Sequence, residues 1–156
     1  MSWEGFAFLG WGAVVIAMVL LLVQRMFFVK GLIAQSKDAS GSIVDLFERC
    51  RGEVGYRGRC ELKLSPVAGS PSVCGLFRPV VLVPESLPGQ LGDGDLRSIF
   101  LHELAHVKRW DLWVSMVQTV LQIVYFYNPL LWVVNGIIRK VREQAIDEAV
   151  MATMGE

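Results

Sequence analysis

Between Glu4 and Arg25 the chain carries no charge for 20 residues (GFAFLGWGAVVIAMVLLLVQ), the length a helix rising 1.5 Å per residue needs to cross about 30 Å of hydrocarbon. The pattern predicts a membrane span. No basic segment precedes it, its apolar core is longer than that of a secretory leader, and no small-residue cleavage site follows, so it reads as an anchor. Trp3 and Trp11 suit one membrane interface, and Arg25, Lys30 and Lys37 follow the other end. The excess of basic residues on that side places the N-terminus outside and the rest of the chain in the cytoplasm.

From Lys30 to about Leu91 charges of both signs and the turn formers Gly41, Gly52, Gly55, Gly58, Gly69 and Gly89 replace the apolar run, the character of a small soluble layer. Ser42, with Asp45 three residues on and then Leu46 and Phe47, predicts a short capped helix. CELKLS alternates with the strand period at Cys60, Leu62 and Leu64, and RPVVLVPE is a β-branched run between Pro79 and Pro84. Prolines at both limits predict an edge strand, because proline cannot donate to a ladder. After GQLGDGD a helix should start near Asp93 or Asp95, with either carboxylate accepting from free N-terminal amides. Beyond it lies a second uncharged run, Leu112 to Ile138.

Composition narrows the class. Of 156 residues about half are apolar and mean hydropathy is positive, which fits one domain plus membrane-inserted helices. With 15 basic and 15 acidic side chains the net charge is zero, so no global field favours nucleic acid, and lipid is the expected partner. Arg49, Arg51, Arg57 and Arg59 are interleaved with Glu48, Glu53 and Glu61, which reads as a solvated mixed face. Cys50, Cys60 and Cys74 are odd in number and lack CxxC spacing, so free thiols in a reducing compartment are expected.

The chemistry lies in FLHELAHVKRWD, residues 100–111. At 3.6 residues per turn His102 and His106 project from one helix face and can share one metal ion, with Glu103 about 100° around the helix. Both histidines of the chain fall in this HExxH pattern, the zincin or gluzincin arrangement. Zinc would supply Lewis-acid character, while Glu103 would take a proton from the attacking water and return it to the leaving amine. Such a site needs a third ligand, and without another histidine a carboxylate is expected. Asp111, Glu143, Asp147 and Glu148 are the candidates. Glu143 and Asp147 lie one turn apart on the same face of REQAIDEAV, and spacing does not separate them; Glu148 points elsewhere and should be solvated.

This ligand set constrains the second apolar run. A single crossing from Leu112 to Ile138 would strand Glu143 on the opposite side of the membrane from His106, and ligands near 2 Å from one ion cannot be so divided. Asn128-Pro129 supplies a break, since the residue before proline avoids helical angles and proline suits a first helical turn. Arms of about 16 and 10 residues are too short to span, so the run should form a hairpin that dips into one leaflet or lies at its interface. Lys108, Arg109, Arg139, Lys140 and Arg142 mark both ends as cytoplasmic. Ser115, Gln118, Thr119 and Gln122 give the first arm a polar stripe that can face protein. Tyr125, Phe126, Tyr127 and Trp132 suit an interface or packing.

SPSVCGLFRPVVLVPESL, HELAHVKRWD, YFYNPLLWVVN and REQAIDEAV stand in the order and at the separations of the BlaR/MecR-type membrane metallopeptidases, which the chain resembles from about Leu62 to Val150. The resemblance implies that His102, His106 and Glu143 bind zinc, that Glu103 is the acid/base, that Asp147 supports the site, and that Asp111 has a supporting role. It also implies that substrate adds to PVVLVPE as an extended strand. The expected fold is an α+β membrane protein. A transmembrane anchor over 1–30 precedes a cytoplasmic-facing zinc metallopeptidase domain over 31–156, with a small β-sheet layer, the HExxH helix and a membrane-associated hairpin over 112–138.

The expected function is zinc-dependent cleavage of a cytoplasmic protein at a bacterial inner or plasma membrane, in regulated proteolysis or signal transduction; a transcriptional repressor is the substrate the better-known relatives suggest. The sequence shows one clear span and no sensor domain, which points to a shortened family member or to a separate sensor chain. Two other readings compete: a quality-control protease of the HtpX or CAAX-processing type, disfavoured by NPLLW and GLFRP, and a non-catalytic membrane adaptor that keeps the zincin fold.

Overall fold

The computed structural model describes residues 2–155. Helix α1 (Trp3–Gln35) contains the first uncharged run and continues ten residues beyond Arg25. It is long and apolar enough to cross a membrane, and none of it is buried. Strand β1 (Lys37–Asp38), helix α2 (Ser42–Val54), and strands β2 (Glu61–Ser65), β3 (Ser72–Cys74) and β4 (Val80–Pro84) follow. A short helix α3 (Leu87–Gln90), then α4 (Asp93–Lys108), α5 (Asp111–Val124) and α6 (Pro129–Met154) complete a helix-rich α+β chain.

The four strands lie in the order β1-β2-β4-β3, with β2 and β4 parallel and both outer strands antiparallel to their neighbours. The VVLVP strand is therefore central, which corrects the edge position expected from its prolines. Strand β3 pairs only with Val80, Val81 and Leu82, so Pro79 and Pro84 lie outside its reach and neither is asked to donate to two neighbours. Burial of all five residues on both faces also explains why this strand reads as an unbroken apolar run. The free edge near α4 belongs instead to β3, whose end turns at Gly75. There φ is 88°, and any Cβ would collide with the Arg78 carbonyl oxygen.

The core sits between the sheet and the helices α2, α4 and α6. Phe47 and Cys50 from α2, Phe100, Leu101 and Leu104 from α4, Val81 and Val83 from β4, and Ile146 from α6 are all essentially inaccessible. Phe47 and Phe100 meet edge to face, with ring centroids 5.4 Å apart. Neither helix start uses the cap expected: Gly41 and Gly92 occupy the capping positions with no side-chain hydrogen bond. Ser42, Asp93 and Asp95 lie inside the first turns, where the aspartates still favour the positive end of the helix dipole. The mixed face behaves as expected, with ion pairs Arg51–Glu48 and Arg97–Glu53 at 2.5 and 2.8 Å.

All three thiols are free. Burial pushes the thiols of Cys50 and Cys60 up to about 11. A raised thiol pKa means less thiolate, so at pH 8 these two cysteines should alkylate at least roughly a hundredfold more slowly in the native chain than in the unfolded one. Peptide mapping after timed iodoacetamide exposure checks this, and equal rates in the native and unfolded chains would refute it.

The second uncharged run folds back on itself. Helix α5 ends at Val124 and α6 begins at Pro129, with the Asn128 side chain accepting from the Leu130 amide at 3.0 Å. The second arm does not stop near Ile138 but runs on without interruption through REQAIDEAV. The polar stripe of α5 faces α6: Gln122 Oε1 accepts from Asn135 Nδ2 at 3.4 Å, and Ser115 and Gln118 accept from Arg142. Thr119 bonds only within its own helix, to the Ser115 carbonyl. Helix α5 also packs on α1, where Trp11 Nε1 donates to the Val124 carbonyl at 3.3 Å. Trp11 lies 14 residues before Arg25, about 21 Å along a helix. The C-terminal end of α5 thus meets α1 well back along its uncharged stretch.

Candidate metal centre

Helix α4 carries Leu96, Phe100, Leu101, Leu104 and Val107 into the core, and this fixes its rotation so that His102, Glu103 and His106 lie at the edge of the packed surface. Their chemistry is completed from two other elements. Asp111 comes back to the histidines because the chain turns sharply at Trp110, a non-glycine residue with φ 61° and ψ 29° between α4 and α5. Glu143 and Asp147 arrive on α6, which packs against α4 through the buried Ile146 and Val150.

Three donor atoms converge. His102 Nε2 and His106 Nε2 are 3.2 Å apart, and Glu143 Oε2 is 3.6 Å from each. The point equidistant from the corners of this triangle lies about 2 Å from all three atoms, the bond length zinc makes to imidazole nitrogen and carboxylate oxygen. The far nitrogens of both rings face carboxylates: His106 Nδ1 is 2.8 Å from Asp111 Oδ2, and His102 Nδ1 is 3.2 Å from Asp147 Oδ1. A carboxylate accepts, so each Nδ1 carries the proton and each Nε2 presents a lone pair. Two lone pairs and a carboxylate oxygen facing one point repel each other unless a cation lies between them. These residues fit a metal ion.

Spacing left Glu143 and Asp147 equivalent, and the structure separates them. Glu143 reaches the point shared by both histidines, whereas Asp147 reaches the back of His102. Asp111 does for His106 what Asp147 does for His102, and its residue is only 6% exposed. Glu148 does not join the group that could hold a metal.

Glu103 is half-buried beside this point. Burial pushes its carboxyl above the ordinary carboxylate range, with His106 and His102 pulling it down and Glu143 pushing it further up. That direction suits a group that must accept and then release a proton near neutral pH. Burial pushes the thiol of Cys74, on the free edge of β3, above its ordinary range, with Glu103 adding to the rise and Arg25 opposing it. Sequence reasoning overlooked Arg142, which it read only as a flanking charge; the polar stripe on α5, unusual in an apolar arm, was the available signal.

A parallel-and-antiparallel sheet backed by an HExxH helix, with a carboxylate supplied from a later helix, defines a metallopeptidase-like scaffold. The chain belongs to the BlaR1 peptidase M56 family, whose profile matches residues 6–156. It is similar to the regulatory protein BlaR1 of Bacillus licheniformis, 31% identical over 112 residues that cover 72% of this chain and 18% of that protein. It is also similar to the methicillin resistance mecR1 protein of Staphylococcus aureus, 26% identical over 96 residues that cover 62% of this chain and 16% of that protein. The matched region spans less than one fifth of the length of either relative.

Proposed function

We propose that this chain is a membrane-anchored zinc endopeptidase that cuts a cytoplasmic protein at the membrane surface, in regulated proteolysis. The observation that carries the reading is the triangle of His102, His106 and Glu143 donor atoms, with Glu103 beside it and each histidine backed by a carboxylate. Zinc bound there would acidify a water molecule and polarise the scissile carbonyl. The protein's own residues do the rest. Glu103 takes the proton of the attacking water on its carboxylate and delivers it to the departing amide nitrogen. Asp111 and Asp147 hold the imidazoles in the tautomer that keeps Nε2 free for the ion. The unpaired outer edge of β3 runs beside Glu103, and an extended substrate segment can pair with it through main-chain hydrogen bonds.

The membrane arrangement follows from α1 and the hairpin. With Arg25 at the inner surface, a hairpin tip beside Trp11 lies about 20 Å into a hydrocarbon layer of roughly 30 Å, past its midplane. This is deeper than the single-leaflet dip expected from arm lengths alone. The exposed Val117, Val120, Val133 and Ile137 then face lipid tails, while Arg139 and Lys140 return to the cytoplasmic surface. In keeping with the regulatory relative, the substrate is a cytoplasmic regulatory protein, of which a transcriptional repressor is the example expected.

Metal analysis of purified protein tests the site, with one zinc per chain expected. Substrate trapping with Glu103→Gln identifies what is cut. Zinc bound without any Glu103-dependent cleavage would leave a non-catalytic adaptor. A topology reporter fused after Glu156 should signal from the cytoplasm; an extracellular signal would put the site on the other side.

A further inference from the structure

Arg142 is the residue immediately before the candidate ligand Glu143, and its side chain is only 13% exposed. A guanidinium removed that far from water needs a counter-charge and acceptors for its fork of N–H groups. Its two terminal nitrogens find both on α5, while Nε is buried without a hydrogen-bond partner. Nη1 donates to the Asp111 carbonyl oxygen at 3.1 Å and to Ser115 Oγ at 3.3 Å, and Nη2 donates to Gln118 Oε1 at 3.0 Å. Nη1 also stands 3.7 Å from Asp111 Oδ1. The two carboxylate oxygens of Asp111 are therefore divided: Oδ2 faces His106 Nδ1 at 2.8 Å and Oδ1 faces Arg142.

We infer that Arg142 is a positioning residue for the metal centre, acting through Asp111 on His106; the inference rests on the metal-site reading given above. Arg142 fastens both the main chain and the carboxylate of Asp111, which sits in the first turn of α5 just after the Trp110 bend. With Asp111 so held, His106 keeps its ring orientation and its Nε2 lone pair toward the ion. Consecutive residues of α6 then serve the site from two directions. Glu143 reaches the shared point directly, while Arg142, about 100° around the helix, ties α6 to the hairpin and fixes the rotation that aims Glu143. Three acceptors from about two turns of α5 converge on one guanidinium, an arrangement that a lysine ammonium cannot reproduce.

The test is zinc affinity, measured by chelator competition on the whole chain in lipid nanodiscs, with the cobalt-substituted absorption spectrum as a report on ligand geometry. Outer supports of metal-binding histidines typically contribute 10- to 100-fold in affinity, so Arg142→Met should weaken zinc about tenfold, and Arg142→Lys should weaken it less. In the Asp111→Asn background, Arg142→Met should cost clearly less than tenfold, because the path through the Asp111 carboxylate is already cut and only the aim of Glu143 is left to disturb. Wild-type affinity and spectrum in Arg142→Met, or the same tenfold loss with and without Asp111, would overturn the inference. Should Arg142→Met fail to fold, Arg142→Lys in the same two backgrounds is judged by the same criteria. No zinc bound by the unsubstituted chain would instead defeat the metal-site reading itself.

Discussion

Glu103→Gln is expected to retain one zinc per chain and to lose about 10²- to 10⁴-fold in peptide hydrolysis, the usual worth of a positioned proton-transfer group. Glutamine keeps the size and hydrogen-bonding reach of the side chain but cannot accept the water's proton. The same substitution carries an independent signature in stability. The Glu103 carboxyl is pushed up by burial. A carboxyl that holds its proton more tightly in the folded state than in the unfolded one costs stability once both states are ionised, above the folded-state pKa. The cost fades as pH falls through that value. At neutral pH the metal-free glutamine variant should therefore melt no lower than the parent, and in acid the difference should vanish. Activity lost together with zinc, or a variant that melts well below the parent, would mean that Glu103 supports the fold and not the proton transfer.

Glu143→Ala should be the more damaging change for the metal itself. It removes one of three converging donors, so zinc affinity should fall by more than the 10- to 100-fold that loss of a supporting residue costs. Asp147→Ala removes only the carboxylate behind His102 and should stay within that range. Chelator competition on the two variants ranks them, and excess zinc should restore cleavage to Asp147→Ala but not to Glu143→Ala. The melting temperature gives the same ranking, since an ion that binds only the folded chain stabilises it by an amount that grows with the logarithm of its affinity. The reverse order would exchange the assigned roles of the two acids.

Why these two acids could be told apart only in three dimensions is instructive. Both lie on one face of α6, one turn apart, and periodicity cannot say which turn of α4 each will meet. The crossing of α6 over α4, set by Ile146 and Val150 in the core, decides it. Other features were legible because one local force dominates them. The length of α1 shows in its charge-free run, the break at Asn128-Pro129 in proline's ring, and the histidine pair in helical pitch. The central position of VVLVP was misread because a proline constrains only the strand partner that reaches it, and β3 is too short to do so. Strand β3 itself, three residues between Pro71 and Gly75, is below the length at which alternation registers. Arg142 escaped notice for a related reason. A charge at the end of an apolar helix has an adequate explanation in membrane topology, and its inward hydrogen bonds become visible only when α5 lies alongside.

The unbroken course of α6 makes it a lever. From Pro129 at the hairpin tip to Glu143 is 14 residues, about 21 Å of continuous helix. A tilt of one degree about the tip displaces the far point by about 0.4 Å, roughly twice the 0.2 Å latitude of a metal-ligand bond. If the hairpin lies in the membrane and the site holds zinc as proposed, whatever sets the slope of that rod, whether bilayer thickness, acyl-chain order or a neighbouring helix, also adjusts the grip on the ion.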